Sequence, residues 1–158
     1  MENIQLVEGM QAPNFSLPGS DGATHALSDY LGKKVILYFY PKDNTPGCSK
    51  EAEAFRDQYE HFKGENTVIL GVSRDTLTAH AKFIDKYNLP FVLLSDKDEV
   101  VCKLYDVLKE KTMCGRTGIG IERSTFIIDE TGKLIKIYRK VKVAGHVDAV
   151  KCSLLGNE

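Results

Sequence analysis

The feature that most constrains this sequence is an unbroken apolar run, Val35 to Tyr40 (VILYFY), which stops at a polar loop. A strand that is apolar at every position has no face to present to water, so it belongs inside a sheet that is covered on both sides. The run is far shorter than the roughly 20 apolar residues that a membrane-spanning helix needs. The sequence therefore predicts a layered α/β protein with this strand at its centre.

The rest of the chain alternates between predicted strands and amphipathic helices. An extended segment and a turn come first, and the elements after the central strand end in a hairpin and a helix. This order predicts a mixed sheet between helices, and no repeat or linker divides the chain, so residues 1–158 are expected to form one domain. The predicted elements after the central strand are a helix over about 48–63, a strand over 67–73, a helix from Asp75 or Thr76 to Tyr87, a strand over 91–94, a short helix capped by Asp96, a hairpin of 125–128 with 134–138, and a last helix bearing Val147, Val150 and Leu154.

Charge and cysteine usage exclude several classes of function. The net charge is −1 and no basic block is present, so neither nucleic acid nor a membrane surface is expected as a partner. The N-terminus lacks the pattern of a secretory signal, which predicts a cytoplasmic protein. The four cysteines are widely spaced and form no C-x-x-C, so neither a dithiol motif nor a zinc site is predicted.

The loop after the central strand, PKDNTPGC, ends on a cysteine at the predicted start of a helix. Thr45 suits the N-cap and Pro46 the first helical position, which puts Cys48 in the first turn. There the free backbone N–H groups and the helix dipole stabilise an anion such as a thiolate. A single cysteine at a turn is more often a small buried side chain, but this placement makes Cys48 the best candidate nucleophile.

These residues resemble the active-site signature of the peroxiredoxins, P-x-x-x-T-x-x-C, which stands here as Pro41, Thr45 and Cys48. The stretch YFYPKDNTPGCSKEAEAFRD is similar to the bacterioferritin comigratory protein (PrxQ) subfamily in particular. Three further stretches match that subfamily in the same order: GMQAPNFSLPGSDG, HAKFIDKYNLPFVLLSD and IERSTFIIDETGKL. The resemblance covers nearly the whole chain and implies a thioredoxin fold, with a mixed central sheet flanked by helices.

The resemblance also implies a thiol peroxidase that reduces hydrogen peroxide and organic hydroperoxides. The Cys48 thiolate would attack the terminal peroxide oxygen and become a sulfenic acid. Thr45 would offer its hydroxyl to thiolate and peroxide, Arg123 would hold the thiolate and the developing oxyanion, and Pro41 would shield the pocket. No metal, flavin or haem is needed for this chemistry.

One departure from the subfamily concerns the resolving cysteine, which many members carry five residues after the first. Glu53 holds that position here, and the next helix contains no cysteine. A one-cysteine cycle is therefore favoured, with thioredoxin, glutaredoxin or glutathione as the outside reductant. The alternative is a displaced resolver, with Cys114 in the predicted loop 111–116 ahead of Cys102, which is expected to be buried, and of Cys152. The subfamily implies a monomer or a weak homodimer.

Two other classes of function remain as alternatives. A cysteine hydrolase would need a histidine base near Cys48, for which His80 and His146 are the choices, although neither follows a hydrolase signature. The four histidines fall in different predicted elements, so a metal cluster is not expected. A non-catalytic binding or chaperone protein of the thioredoxin fold would have no need to keep Thr45, Cys48 and Arg123 together.

Overall fold

The computed structural model describes residues 5–113 and 115–154. Within these ranges no helix is both long and apolar enough to cross a membrane. A short 3₁₀ helix at Leu27–Tyr30 precedes the central strand. The strands and helices are, in chain order, β1 (Ser16–Pro18), β2 (Thr24–Ala26), β3 (Lys34–Phe39), α1 (Pro46–Asp57), α2 (Tyr59–Gly64), β4 (Thr67–Ser73), α3 (Leu77–Tyr87), β5 (Val92–Ser95), α4 (Val100–Leu104), β6 (Leu108–Met113), β7 (Arg116–Ile121), β8 (Ser124–Ile128), β9 (Leu134–Tyr138) and α5 (His146–Leu154).

The centre of the fold is a five-stranded sheet in the order β5-β4-β3-β8-β9. β3 runs parallel to β4, which runs parallel to β5. β8 is antiparallel to both of its neighbours, β3 and β9. The sheet therefore contains both parallel and antiparallel pairs, as predicted. The apolar run at 35–40 thus lies in the middle strand, as its composition predicts, since β3 has a paired strand on each side and a hydrophobic cluster against each face.

The side chains of β3 alternate between two hydrophobic clusters, one on each face of the sheet. Burying a side chain of this size contributes roughly 1.5–3 kcal/mol, so the strand stabilises both layers at once. One cluster joins Val35, Leu37 and Phe39 to residues that include Val101, Cys102, Tyr105 and Phe126. The other joins Ile36, Tyr38 and Tyr40 to residues that include Cys48, Phe55, Phe62, Phe83 and Val150.

The predicted helix over 48–63 is two helices, and its single-helix interpretation is wrong. α1 ends at Asp57, and the Gln58 backbone leaves the helical region with φ −106° and ψ 8°. The Gln58 N–H donates to the Phe55 carbonyl oxygen at 3.2 Å, a hydrogen bond three residues back along the chain that is typical of a tightened last helical turn. Phe55 and Phe62 are both buried on either side of the break. The apolar spacing therefore survives the interruption, which is why periodicity alone misses it.

The predicted caps are partly confirmed. The Thr76 hydroxyl accepts a hydrogen bond from the Ala79 N–H and caps α3. Asp96 is not the N-cap of α4, because Glu99 holds that position in the left-handed region, at φ 64°. The Asp96 carboxylate nevertheless accepts the Cys102 N–H at 2.6 Å, so it satisfies a free donor of α4 from further upstream.

The segment predicted as a loop between residues 111 and 116 belongs to a β-hairpin, so that prediction is wrong. β6 and β7 pair in an antiparallel register from Leu108 with Ile121 to Met113 with Arg116. Most of β7 is exposed and polar or glycine, so the hydropathy alternation that marks a half-buried strand is missing. Cys114 lies outside the described residues.

Candidate active site

The loop after β3 and the first turn of α1 place the predicted nucleophile. Thr45 is the N-cap with extended backbone angles (φ −104°, ψ 155°), and Pro46 is the first helical residue, as predicted. The Ser49 N–H donates to the Thr45 carbonyl oxygen at 2.8 Å, which closes the first turn. Cys48 therefore lies in the first turn, at the positive end of the helix dipole.

The Thr45 side chain does not cap the helix. Its hydroxyl donates to the Lys42 carbonyl oxygen at 2.8 Å and so closes the loop on itself. The hydroxyl proton is engaged in that bond, and the Thr45 oxygen keeps its lone pairs as acceptors. Pro41 is half-buried at the start of the same loop.

Arg123 brings together two side chains at the start of α1. Its Nη2 donates to Cys48 Sγ at 3.4 Å, and its Nη1 donates to Glu51 Oε1 at 2.6 Å. Arg123 immediately precedes β8, the neighbour of β3, so the sheet delivers the cation to the helix N-terminus. A Cβ at Gly47 would stand 3.2 Å from Arg123 Nη2, so glycine leaves room for the guanidinium. The structure thus joins Cys48 to Arg123, a predicted site residue 75 positions further along the chain.

Glu51 is fully buried, and only one of its carboxylate oxygens has a partner among the described residues. Burial raises the pKa of Glu51 to about 7, although the Arg123 charge opposes that shift. Tyr38, whose hydroxyl also has no partner in the described part of the chain, has its pKa raised by burial and by Glu51. The thiol is therefore backed by buried polar groups that favour their neutral forms.

The raised pKa of Glu51 predicts that stability falls as the pH rises. Between pH 4.5, its ordinary value, and about 7 the folded state binds more protons than the unfolded state. The contribution of protonated Glu51 to the free energy of unfolding is full below pH 4.5. It decreases by at most about 1.4 kcal/mol per pH unit between pH 4.5 and about 7. Urea unfolding followed by circular dichroism at pH 5, 6 and 7 should show the stability difference between wild type and Glu51→Gln shrinking as pH rises.

His146 changes stability with pH in the opposite direction to Glu51. For this reason the experiment compares the wild type with Glu51→Gln and does not follow the wild type alone. Burial, aided by the Arg123 charge, lowers the pKa of His146 to about 4. Its contribution to stability therefore increases with pH between about 4 and 6.5. Both proteins carry His146, so its effect cancels. A wild-type minus variant difference that stays constant or grows with pH would contradict the assignment to Glu51.

Two charged residues of the site were not predicted from the sequence. Glu51 follows Cys48 by three residues, so helical spacing could have placed it beside the thiol. Lys111 of β6 donates from Nζ to the Ile121 carbonyl oxygen at 2.5 Å, two residues before Arg123. Burial and the Arg123 charge lower the pKa of Lys111. No pattern in the sequence indicated that hairpin, so the position of Lys111 near Arg123 could not be predicted.

The remaining described cysteines differ sharply in environment. Cys102 is buried, as predicted, and it belongs to the cluster on the opposite face of the sheet from Cys48. Burial and the nearby Asp96 raise its pKa, which disfavours a reactive thiolate. Cys152 is an exposed thiol on α5. Cys102 is thus separated from Cys48 by the sheet itself.

Neither histidine proposed as a hydrolase base is bonded to Cys48. His80 bonds Asp43 through Nδ1 and faces the Leu94 carbonyl oxygen through Nε2. The Nε2 of His146 bonds the Thr125 hydroxyl at 2.8 Å. Both imidazoles are buried and engaged elsewhere, so this geometry does not support the hydrolase alternative.

Comparison with known proteins places this arrangement in a family. The AhpC/TSA family matches residues 9–137 of the chain. The chain is 53% identical over 147 residues to a putative peroxiredoxin bcp of Coxiella burnetii, covering 93% of this chain and 97% of that one. It is 52% identical over 139 residues to peroxiredoxin Bcp of Bacillus subtilis, covering 88% of each. The chain is a peroxiredoxin of the bacterioferritin comigratory (PrxQ) subfamily. As a peroxiredoxin, it is a thiol-dependent peroxidase.

Solved structures of other peroxiredoxins confirm the predicted thioredoxin fold. A mutant of PrxQ from Xylella fastidiosa superposes with a TM-score of 0.91 at 42% identity, covering 96% of this chain and 97% of that one. Peroxiredoxin Q of Xanthomonas campestris gives a TM-score of 0.88 at 41% identity, covering 95% and 98%. The sheet and helices of this peroxiredoxin thus follow those of the subfamily.

Proposed function

We propose that this protein reduces hydrogen peroxide and organic hydroperoxides at Cys48, in a one-cysteine cycle that an outside thiol completes. The observation that carries the proposal is the Arg123 guanidinium, which bonds Cys48 Sγ at 3.4 Å at a helix N-terminus. A structure of the Xanthomonas campestris relative, 40% identical to this chain, concerns its alkyl peroxide reduction activity, which supports organic hydroperoxides as substrates.

The first half-reaction uses the groups that surround the thiolate. The Cys48 sulfur attacks the terminal peroxide oxygen, the O–O bond breaks, and the departing hydroxide or alkoxide takes a proton and leaves as water or alcohol. The Arg123 cation stabilises the thiolate before the attack and the charge on the oxygens during it. The Thr45 oxygen accepts a hydrogen bond from the peroxide, and Pro41 restricts access at the loop.

The second half-reaction needs a thiol from outside the chain. Thioredoxin, glutaredoxin or glutathione would attack the sulfenic acid, release water and form a mixed disulfide, which a second thiol resolves. Neither α1 nor α3 carries a second cysteine, and Cys102 lies across the sheet, which supports the one-cysteine cycle. Cys48 is only 2% exposed, so the reductant reaches the sulfur only when the start of α1 opens. We infer a monomer or weak homodimer that leaves this opening free.

The cycle is tested by the intact mass of the reduced protein after one equivalent of hydrogen peroxide, with and without dimedone, followed by peptide mapping. We expect a single dimedone adduct on Cys48 and no internal disulfide. A disulfide from Cys48 to Cys114, Cys102 or Cys152 would contradict the one-cysteine cycle and support the two-cysteine alternative. An unmodified Cys48 would contradict the assignment of Cys48 as the peroxidatic residue.

A further inference from the structure

Helix α3 holds the active-site loop through a buried hydrogen-bond network around Asp43, five residues before Cys48. The Tyr40 hydroxyl donates to Asp43 Oδ1 at 2.5 Å, and His80 Nδ1 lies 2.6 Å from Asp43 Oδ2. The Asp43 N–H donates to Asp75 Oδ2 at 2.8 Å. His80 is completely buried and Asp43 is 8% exposed. A buried carboxylate with every polar atom engaged fixes its own backbone, since each lost bond would leave an unpaired group.

The acceptors around His80 determine where its protons lie. The Leu94 carbonyl oxygen, 3.0 Å from Nε2, can only accept, so Nε2 donates to it. Asp43 Oδ2 is on the other side of the ring, so the Nδ1···Oδ2 contact holds one further proton. His80 thereby links α3 and β5 to the loop through a short, buried hydrogen bond.

A second contact from α3 holds the next residue of the loop. Lys86 Nζ donates to Asn44 Oδ1 at 3.1 Å, and the Tyr87 hydroxyl does so at 3.4 Å. Asn44 adopts a left-handed backbone conformation with φ 60°, which places the turn directly before Thr45. Two successive loop residues are thus bound to one helix, and the N-cap of α1 follows immediately.

We propose that His80 is a positioning residue for Cys48, a role that rests on the proposed peroxidase function. Through the hydrogen bond between Nδ1 and Asp43 Oδ2, His80 holds the loop at 41–45 in the shape that starts α1, with Cys48 Sγ against Arg123. The imidazole does not touch the thiol or the peroxide. Its effect passes through Asp43 to the first turn of α1, where small displacements weaken the Arg123 contact that the reaction uses.

Two substitutions separate the bond to Asp43 from the bond to Leu94. Asparagine at position 80 places an N–H donor near the site of Nδ1, whereas glutamine places one near the site of Nε2. We expect His80→Gln to slow Cys48 oxidation by about 10- to 100-fold and His80→Asn to stay within about threefold of wild type. Because the chain has no tryptophan, the rate is followed by competition with a haem peroxidase for hydrogen peroxide.

A control variant must show that destabilising the region of α3 does not by itself slow Cys48 oxidation. Leu89→Ala removes a buried side chain just after α3 that makes no hydrogen bond to the network, so it should lower thermal stability and leave the oxidation rate unchanged. In His80→Gln only, hydrogen–deuterium exchange should accelerate across residues 41–50. Asp43→Ala removes the same bond from the loop side and should reproduce the loss, which covers the case in which His80→Gln does not fold.

Equal rates for His80→Gln and His80→Asn, or an equal loss in Leu89→Ala, would overturn the positioning role. The proposed peroxidase function is judged separately, by whether the wild type consumes peroxide at all. If it does not, alkylation of Cys48 by iodoacetamide and amide exchange in the same variants still report whether His80 holds the loop. The same alkylation rate and the same amide exchange in the wild type and all of these variants would then contradict the positioning role of His80.

Discussion

Replacing Cys48 by serine is expected to abolish peroxide consumption, lowering the rate by more than about 1,000-fold. Serine keeps the size and the helical position of the residue, but its hydroxyl is not ionised beside Arg123 and cannot form a sulfenic acid. The fold should survive, because Cys48 contributes a small side chain to the cluster that contains Phe55 and Tyr38. The measurement is peroxide loss with an excess of thiol reductant, together with thermal unfolding of the variant.

Cys152→Ser is the matched control for Cys48→Ser. This thiol is exposed on α5, so its removal tests whether any surface sulfur consumes peroxide. We expect wild-type turnover from Cys152→Ser with a thioredoxin, glutaredoxin or glutathione system. Turnover that persists in Cys48→Ser and disappears in Cys152→Ser would move the reactive sulfur to α5.

Replacing Arg123 by methionine is expected to lower the rate of Cys48 oxidation by about 100- to 1,000-fold, the usual effect of removing a donor to a developing oxyanion. The substitution removes the Nη2 donor that lies 3.4 Å from Cys48 Sγ, and it also leaves buried Glu51 without its partner. Breaking such a pair costs about 3 kcal/mol, and the loss should be larger at pH 8 than at pH 6 because Glu51, with its pKa near 7, is ionised at the higher pH.

A double variant separates the two effects of Arg123. In Glu51→Gln with Arg123→Met no buried carboxylate remains, so much of the lost stability should return while the oxidation rate stays low. Arg123→Lys keeps the charge without the two-armed guanidinium and should lie between wild type and Arg123→Met in rate. Recovery of the rate together with the stability would show that Arg123 acts by holding the fold and has no direct part in the chemistry.

The match between sequence and structure is best where the interactions are local. Thr45, Pro46 and Cys48 lie within one helical turn, and capping preferences place them without reference to the rest of the chain. The two faces of β3 follow from its uninterrupted apolar composition. The thioredoxin fold and the predicted role of Arg123 came from the resemblance to a known subfamily, since neither follows from periodicity.

The wrong predictions concern segments whose sequence carries no local pattern, or whose pattern stays the same when the backbone changes conformation. The break at Gln58 preserves the spacing of Phe55 and Phe62, so the pattern is the same for one helix as for two. The β6–β7 hairpin is mostly polar and exposed, so it carries no alternation, and Lys111 could not be assigned to the site.

By itself the sequence determined the central strand, the start of α1 and the thiol in its first turn, because an apolar run and the residue preferences of a helix start depend on residues that are neighbours along the chain. Only the tertiary structure decided which distant groups surround that thiol. Arg123 reaches Cys48 across 75 residues because β8 pairs with β3, and His80 reaches Asp43 across 37 because α3 packs on the same face as α1. The physical reason is that strand pairing and helix packing bring together side chains whose separation along the chain leaves no periodic trace.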